Sequence, residues 1–517
     1  MKKVIIIGAG PAGLTCAYQL LKESKKYKVV ILEQDNQIGG ISKTIEFDGY
    51  KIDTGIHRFF TKNSEVEKIW TDLLPLQGAP AYDDKLLNRN KNYSECGPNP
   101  EKTDKVMLIK DRVTRIFYGR KFYDYPVSLN ITTIKNMGIL TMLKAGFSYL
   151  KSCIFKLEET SLENFYINRF GKVLYSMFFE SYTEKVWGIH PSKISADWGS
   201  QRVKGISISA VLKDMFKKMF KLKNKDNTET SLIEQFIYPK LGSGHVYEEM
   251  AKEIEKMGGK IILNASVNKI NLDKDSVSIS YILDNKKKNM KGNYLVSSMP
   301  IKDLIEGMDN VPKRISSIAS KLPYREFMSV GLIVDKLKLE NTTKIKTLQD
   351  IIPDSWIYVQ EPDVKMGRLQ VFNNWSPYIF NKKTDIKNKA FISLEYFCSE
   401  NDEYWNMSDQ EFIKFAIDEA VKIGLIDEGS VSHSVRIKIK KAYPAYFGVY
   451  SKFDQVVKYL NKYDNLYCIG RNGQHRYNNM DHSMLTGIYT ARNIINGVND
   501  KEIIWNVNTE KEYHEKK

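Results

Sequence analysis

The chain opens on a continuous apolar run, Val4-Ile5-Ile6-Ile7, that stops at Gly8-Ala9-Gly10-Pro11-Ala12-Gly13. An unbroken apolar run, rather than an alternating one, suits a strand covered on both faces, as in a parallel sheet. Helical spacing follows through Leu21, and a second strand-like run spans Val29 to Glu33. Strand, glycine turn, helix and strand in this order predict a βαβ unit. Helical patterns recur at residues 64–74, 131–156, 161–180 and 206–220, which predicts a largely helical insertion. Strand-like segments return at 259–281 and 293–298, and the β-rich stretches at 328–335, 355–360, 368–373 and 390–397 predict an antiparallel sheet. Near the C-terminus the pattern reads strand (Leu466 to Ile469), loop, and a helix from Asp481, whose side chain is expected to cap it. The two chain ends are therefore expected in one domain. The charged tract Asn285 to Lys291 predicts a hairpin turn, and the Lys/Glu tail from Glu510 predicts a solvated end.

A length of 517 residues exceeds one ordinary core. The patterns predict a discontinuous cofactor domain at 1–90, 235–305 and 440–500, a mainly helical domain at 91–234 and an antiparallel sheet domain at 306–439. Hydrophobic residues at 42% and aromatics at 12% exclude a disordered or fibrous chain. Five scattered cysteines (Cys16, Cys96, Cys153, Cys398, Cys468) with no paired spacing exclude a disulfide framework and a zinc ribbon, and fit a reducing compartment. Met1 leads straight into the first strand without an apolar leader, so the expected location is cytoplasmic. Residues 137–157 are the most apolar later stretch. They carry Lys144, Lys151 and Lys156, and read as an amphipathic or buried helix rather than a membrane span.

The net charge is +16, but lysines run the whole length beside Asp and Glu, so a solvated surface is expected and no nucleic-acid partner. One segment differs. Residues 210–225 set Leu212, Met215, Phe216, Met219 and Phe220 at helical spacing against lysines. That pattern fits a core-facing helix with a basic outer face, or a helix in peripheral contact with a membrane.

In G-x-G-x-x-G the first glycine (Gly8) permits the tight turn, the second (Gly10) lets backbone approach a pyrophosphate, and the third (Gly13) lets the helix pack on the strand. Pro11 and Ala12 complete this turn, and the helix N-terminus favours the phosphates. Glu33, at the end of the second strand, is placed to accept ribose hydroxyls. The continuation Gln37-Ile-Gly-Gly-Ile-Ser-Lys-Thr44 adds Gly39, Gly40 and Ile41, a second close approach to a diphosphate. No carboxylate or histidine spacing suggests a metal.

The pattern Glu-x(5)-Gly-Gly-x(3)-Thr after this fold resembles the flavoproteins that include amine oxidases, protoporphyrinogen oxidases and UDP-galactopyranose mutases. The resemblance implies an α/β fold, with a Rossmann-type FAD-binding domain of the GR2 type, a helical insertion and an antiparallel β-sheet substrate domain. It also implies bound FAD, with NAD(P)H as a candidate reductant. Val267, Gly470, Arg471, Met480 and Asp481 join the cofactor set on this basis.

Further segments resemble UDP-galactopyranose mutase in collinear order: Thr54-Gly-Ile-His-Arg-Phe-Phe-Thr61, Tyr125-Pro-Val-Ser-Leu-Asn130, Tyr182-Thr-Glu-Lys-Val-Trp-Gly188 with Pro191 and Arg202, Tyr443-Pro444, and Gly470 to Asp481. The likeness implies a nucleotide-sugar pyranose/furanose mutase of cell-surface polysaccharide precursor synthesis, with reduced flavin N5 as the nucleophile. His57, Trp187, Arg202 and Arg471 are then the catalytic candidates, and Tyr182, Trp187, Arg202, Asn374, Arg476 and Tyr477 the substrate contacts. The expected partner is a nucleotide-activated sugar, and a dimer is compatible with the sequence. Ile206 replaces the family's second arginine, His475 and Asn478 replace its two diphosphate tyrosines, and Phe60 replaces its second flavin-side histidine. The alternative is an FAD-dependent oxidoreductase that moves hydride from substrate to flavin. The Asn373-Asn-Trp-Ser-Pro377 stretch fits either reading.

Overall fold

A computed structural model describes residues 1–125, 127, 131–196 and 235–508. Arg202, Ile206 and the 210–225 segment lie outside them. The chain divides into two compact units: Met1–Ile109 with Ile237–Tyr324 and Lys441–Thr509, and Lys110–Phe236 with Arg325–Lys440 and Glu510–Lys517. The expected breaks were at 90, 305 and 440.

The first unit is built on a five-stranded parallel sheet in the order Leu466–Cys468, Tyr294–Ser297, Lys2–Ile7, Tyr27–Leu32, Lys260–Ile262. Val4, Ile5 and Ile6 are wholly buried in its middle strand, the environment their unbroken run predicts. Proline starts the helix Pro11–Glu23, which packs along the C-terminal helix Met480–Asn496, so the chain ends do meet.

A three-stranded antiparallel sheet follows: Ser266–Leu272, Val277–Leu283 and Lys286–Gly292. The expected turn at 285–291 is corrected here. The chain reverses at Asp284 and Asn285, both at positive φ, and the lysine tract is itself the edge strand. Lysines on an exposed edge oppose pairing with other chains, and they hide the strand from a hydrophobicity reading.

In the second unit a seven-stranded sheet has the order Val431–Pro444, Tyr324–Val334, Ala390–Cys398, Arg368–Val371, Trp356–Val359, Thr114–Tyr118, Lys121–Asp124. The last two strands fall inside the stretch expected to be mainly helical. Their neighbour Trp356–Val359 pairs with Thr114–Tyr118 in parallel, a partner far away in sequence. The expected helix at 131–156 is two helices, Ile131–Met137 and Ile139–Ile154, broken at Gly138, whose φ is +79°. The expected 161–180 helix is Leu162–Tyr175 plus a π turn at Ser176–Glu180 that leads into Ser181–Trp187. The helix Asp409–Lys422, opened by a Ser408/Glu411 capping box, buries Phe412, Ala416 and Ala420 in one core with Met328, Leu332 and Leu394.

Within this sheet Arg368 and Glu395 form a buried ion pair across adjacent strands, and Gln370 Nε2 donates to the other carboxylate oxygen at 2.7 Å. Burial raises the Glu395 carboxyl above its ordinary range, and the arginine and glutamine oppose that rise. Arg368→Met strands the carboxylate and is expected to cost about 3–5 kcal/mol. Arg368→Met/Glu395→Gln keeps a neutral acceptor for Gln370 and is expected to recover most of that loss, as read by chemical denaturation. Equal losses in the two variants would refute the account.

Candidate functional site

The cofactor-site candidates other than those of residues 182–202 and Asn374 lie in the first unit. The parallel strands end in a row of special turns. Gly8 N donates to Leu32 O at 2.8 Å, while Ser298 N and Oγ both donate to Ile7 O at 2.9 Å. Gly13 must be glycine, because a β-carbon there would stand 2.0 Å from the carbonyl oxygen of Gly8. No side chain caps the helix at Gly10, so its first N–H groups suit an anion. Gly39 N donates to Ala9 O at 2.8 Å, and a β-carbon on Gly40 would come within 3.2 Å of Gly10 Cα. Two backbone turns thus form one cradle too narrow for side chains, the shape a pyrophosphate requires.

Glu33 is buried beside the cradle. One carboxylate oxygen accepts from Ala9 N at 2.7 Å and the other from Asp35 N at 2.9 Å. Each oxygen keeps a further lone pair for a ribose hydroxyl. Burial raises its pKa, and the two backbone bonds oppose that rise. Ala265 N donates to Glu33 O at 2.7 Å, which brings the strand holding Val267 alongside. Gly470 has a φ of +73°, donates its N–H to Thr486 Oγ1 and sits against Ala12; the helix that begins at Met480 and Asp481 carries Thr486. The cap of that helix is Asn479 and not Asp481. Asn479 is in extended backbone and its N–H donates to His482 Nδ1, two residues before the expected position.

Sequence reading missed a hub. Buried Asp53 accepts from Thr44 Oγ1 (2.7 Å), Tyr238 OH (2.6 Å) and Ser243 N (3.0 and 3.2 Å), and Gly244 N donates to Thr44 Oγ1 at 2.9 Å. Thr54 Oγ1 donates to Ile41 O at 2.6 Å. These bonds hold the Gly40–Thr44 turn to two distant segments. Burial pushes the Asp53 carboxyl up to about 6, against its three kinds of donor. The only sequence signal was Thr44, the last residue of the second glycine motif.

Several candidates already have structural partners. Arg471 donates to Asn478 O (2.9 Å) and Ala442 O (3.1 Å), and lies over the stacked rings of Tyr443 and Tyr477. Arg476 donates to Trp505 O and Val507 O. His475 is fully buried, with Nε2 donating to Ala445 O at 3.1 Å, and Asn478 is buried beside Gln474. Tyr477 N donates to the Tyr446 hydroxyl. His57 is half-buried in the segment before the Ser64–Leu73 helix.

In the second unit, Tyr182 packs edge-on to Tyr358, and buried Trp187 ends its helix at Gly188. Lys185 of the same motif is a staple: its buried ammonium donates to Val359 O, Glu361 O and Met366 O, and burial pulls its pKa down to about 8. Arg325 Nε donates to Val186 O at 3.1 Å. Asn374 Nδ2 donates to Ile352 O and Asp354 O, tying its turn to the segment before the Trp356–Val359 strand.

Glycine turns at the carboxyl ends of parallel strands, a buried carboxylate at the end of the second strand and a second glycine turn define an FAD-binding flavoenzyme. The residues present fit that cofactor: Gly8–Gly13 and Gly39–Gly40 would hold its diphosphate and Glu33 its ribose. The description "Flavin containing amine oxidoreductase" matches residues 11–495, and the chain belongs to that family. The all-trans-retinol 13,14-reductase of Danio rerio is 23% identical over 333 residues, 61% of this chain and 50% of that protein. The chain spans about half the length of the curated relatives it matches. Among solved structures, reduced UDP-galactopyranose mutase is similar at a TM-score of 0.75 and 18% identity, covering 99% of this chain and 100% of that one. A protein described as a protoporphyrinogen oxidase, from Exiguobacterium sp. 255-15, is similar at 0.64 and 14%, covering 95% and 98%. At these identities the likeness establishes the fold. Among the described residues no helix is long and apolar enough to cross a membrane.

Asp53→Asn turns an amide N–H toward the donors of Thr44 and Ser243, and is expected to weaken FAD retention on gel filtration about tenfold, from about 1–3 kcal/mol of lost hydrogen bonding. Undiminished retention would show that this hub does not hold the turn. Burial lowers the His475 pKa from its ordinary 6.5 to about 4, so its contribution to stability is complete above pH 6.5 and is lost as pH falls toward 4. His475→Gln is expected to flatten the fall of Tm with pH across that window, by up to about 3 kcal/mol of linkage. Parallel Tm profiles for the two proteins would contradict this.

Proposed function

We propose that the chain is an FAD-dependent oxidoreductase that moves hydride between a small organic substrate and the flavin. One observation carries the choice: in the first unit, buried His475 and Asn478 replace the two tyrosines that contact the diphosphate in the mutase family, and the nearby arginines are partly committed to main-chain carbonyls. A diphosphate needs guanidinium forks or hydroxyls turned toward its oxygens. Here Arg471 commits Nε and Nη1, and Arg476 commits Nη1, to main-chain carbonyls, while His475 and Asn478 are buried. In the same region Tyr443 stacks on Tyr477 and Tyr446 meets Tyr450 edge-on, aromatic surroundings that suit an apolar or unsaturated substrate better than a charged one. When bound, the flavin supplies the hydride acceptor. The chain's own residues do the rest: Gly8–Gly13 and Gly39–Gly40 bind its diphosphate, Glu33 orients its ribose, and the Asp53 hub fixes the turn that carries Ile41. Membership of an oxidoreductase family supports this reading.

A nucleotide-sugar mutase is the second reading. It is favoured by a mutase fold that covers the whole chain and by the Tyr182–Gly188 motif; Arg202 would then serve as the diphosphate cation. Anaerobic absorbance separates the two readings. Oxidised protein titrated with amines, porphyrinogens and partly saturated polyenes is expected to lose its yellow colour with one of these classes and regain it with oxygen or another acceptor. An isomeric product from UDP-galactopyranose, formed only after dithionite reduction and without net flavin turnover, would replace the oxidoreductase reading with the mutase.

A further inference from the structure

The helix Ile139–Ile154, in the second unit, buries small residues and exposes large ones. Only Ala145 and Ser152 of this helix are buried. On that same side Ser148 Oγ accepts from Val173 N, and Gly171 lies so close that a β-carbon there would stand 2.8 Å from Tyr149 N. Small residues therefore seat the helix against Leu162–Tyr175. On the opposite side Ile139, Leu140, Leu143, Phe147, Leu150 and Ile154 are each between 55% and 76% exposed. From Leu140 to Ile154 they recur every three or four residues, so they form a single stripe. Phe155 and Leu157 continue the exposed apolar surface past the helix end. A monomer in water rarely leaves a contiguous patch of this kind uncovered.

The charges beside the stripe indicate its occupant. Lys144 and Lys151 are exposed along one flank, Lys156 follows, and residues 131–157 contain no aspartate or glutamate. The next acids along the chain are Glu158 and Glu159, and Glu159 pairs with Arg169 at 2.6 Å. Pairing this helix with a second copy would bring lysines together with no carboxylate on the helix to offset them. Lipid headgroup phosphates offset them directly, and the apolar stripe suits the boundary between headgroups and acyl chains. We propose that this face docks the protein on an anionic lipid bilayer, lying in the interface plane without crossing it. The surface shares no residue with the cofactor cradle, and it serves either reading of the chemistry.

The test is flotation of the yellow full-length protein with vesicles of phosphatidylcholine alone, or of phosphatidylcholine with about 30 mol% phosphatidylglycerol. Wild type is expected to float with the anionic vesicles and at least about tenfold less with the neutral ones. Leu143→Ser/Phe147→Ser/Leu150→Ser and, separately, Lys144→Glu/Lys151→Glu are expected to lose about tenfold or more of that binding while keeping their flavin colour, since these side chains already face water. Phe216→Ser/Phe220→Ser serves as the companion variant. The proposal is overturned if wild type does not float or if the helix variants float undiminished. It is equally overturned if only the companion variant loses binding, or if gel filtration shows a wild-type dimer that the triple variant converts to monomer.

Discussion

The cofactor site depends on how closely a helix can lie against the strand before it. The N–H groups at a helix start reach a pyrophosphate only when the first turn is pressed onto the preceding loop, and at Gly13 a single methyl group would collide with the Gly8 carbonyl. The same closeness recurs where Gly40 meets Gly10 and where Gly470 meets Ala12. Three segments, from the start, the middle of the first hundred residues and the end of the chain, are thereby brought to the carboxyl edge of one parallel sheet. The unbroken apolar strands beneath supply a floor rigid enough to hold them there.

Hydrogen-bonded polar groups then fix what the apolar core leaves free. Asp53 gathers donors from Thr44, Tyr238 and Ser243, so a turn near residue 40 is positioned by a segment two hundred residues later. In the second unit Arg368, Glu395 and Gln370 tie neighbouring strands, and Lys185 ties a helix to three main-chain carbonyls. A buried charge is tolerated only when its lone pairs or protons are matched, so each of these groups selects one arrangement of its surroundings.

That principle also changes the meaning of the motifs. Residues 182–188 resemble a catalytic segment, yet Lys185 in their centre is a structural staple. Arg471 and Arg476 match cationic positions, yet their guanidinium groups bind the protein's own carbonyls. Glu33, by contrast, spends one lone pair of each carboxylate oxygen on a main-chain N–H and keeps the rest for a ligand.

The βαβ unit, its glycine turns, the carboxylate beside them and the meeting of the chain ends were legible because each rests on local spacing: an apolar run, a proline at a helix start, a carboxylate one strand further on. Thr114–Tyr118 and Lys121–Asp124 were not legible, because short strands become strands only by pairing, and their sheet neighbour comes from residues 356–359. The lysine-rich edge strand was hidden by its charge, and the outward-facing apolar stripe of Ile139–Ile154 by a periodicity that a buried helix shares. Sequence determined the fold class, the cofactor and the backbone turns that meet it, since those follow from covalent geometry and near-neighbour pattern. Only tertiary structure decided which cations remain for a ligand and which apolar face meets the outside, because hydrogen-bond partners and exposure are properties of contacts between residues far apart in the chain.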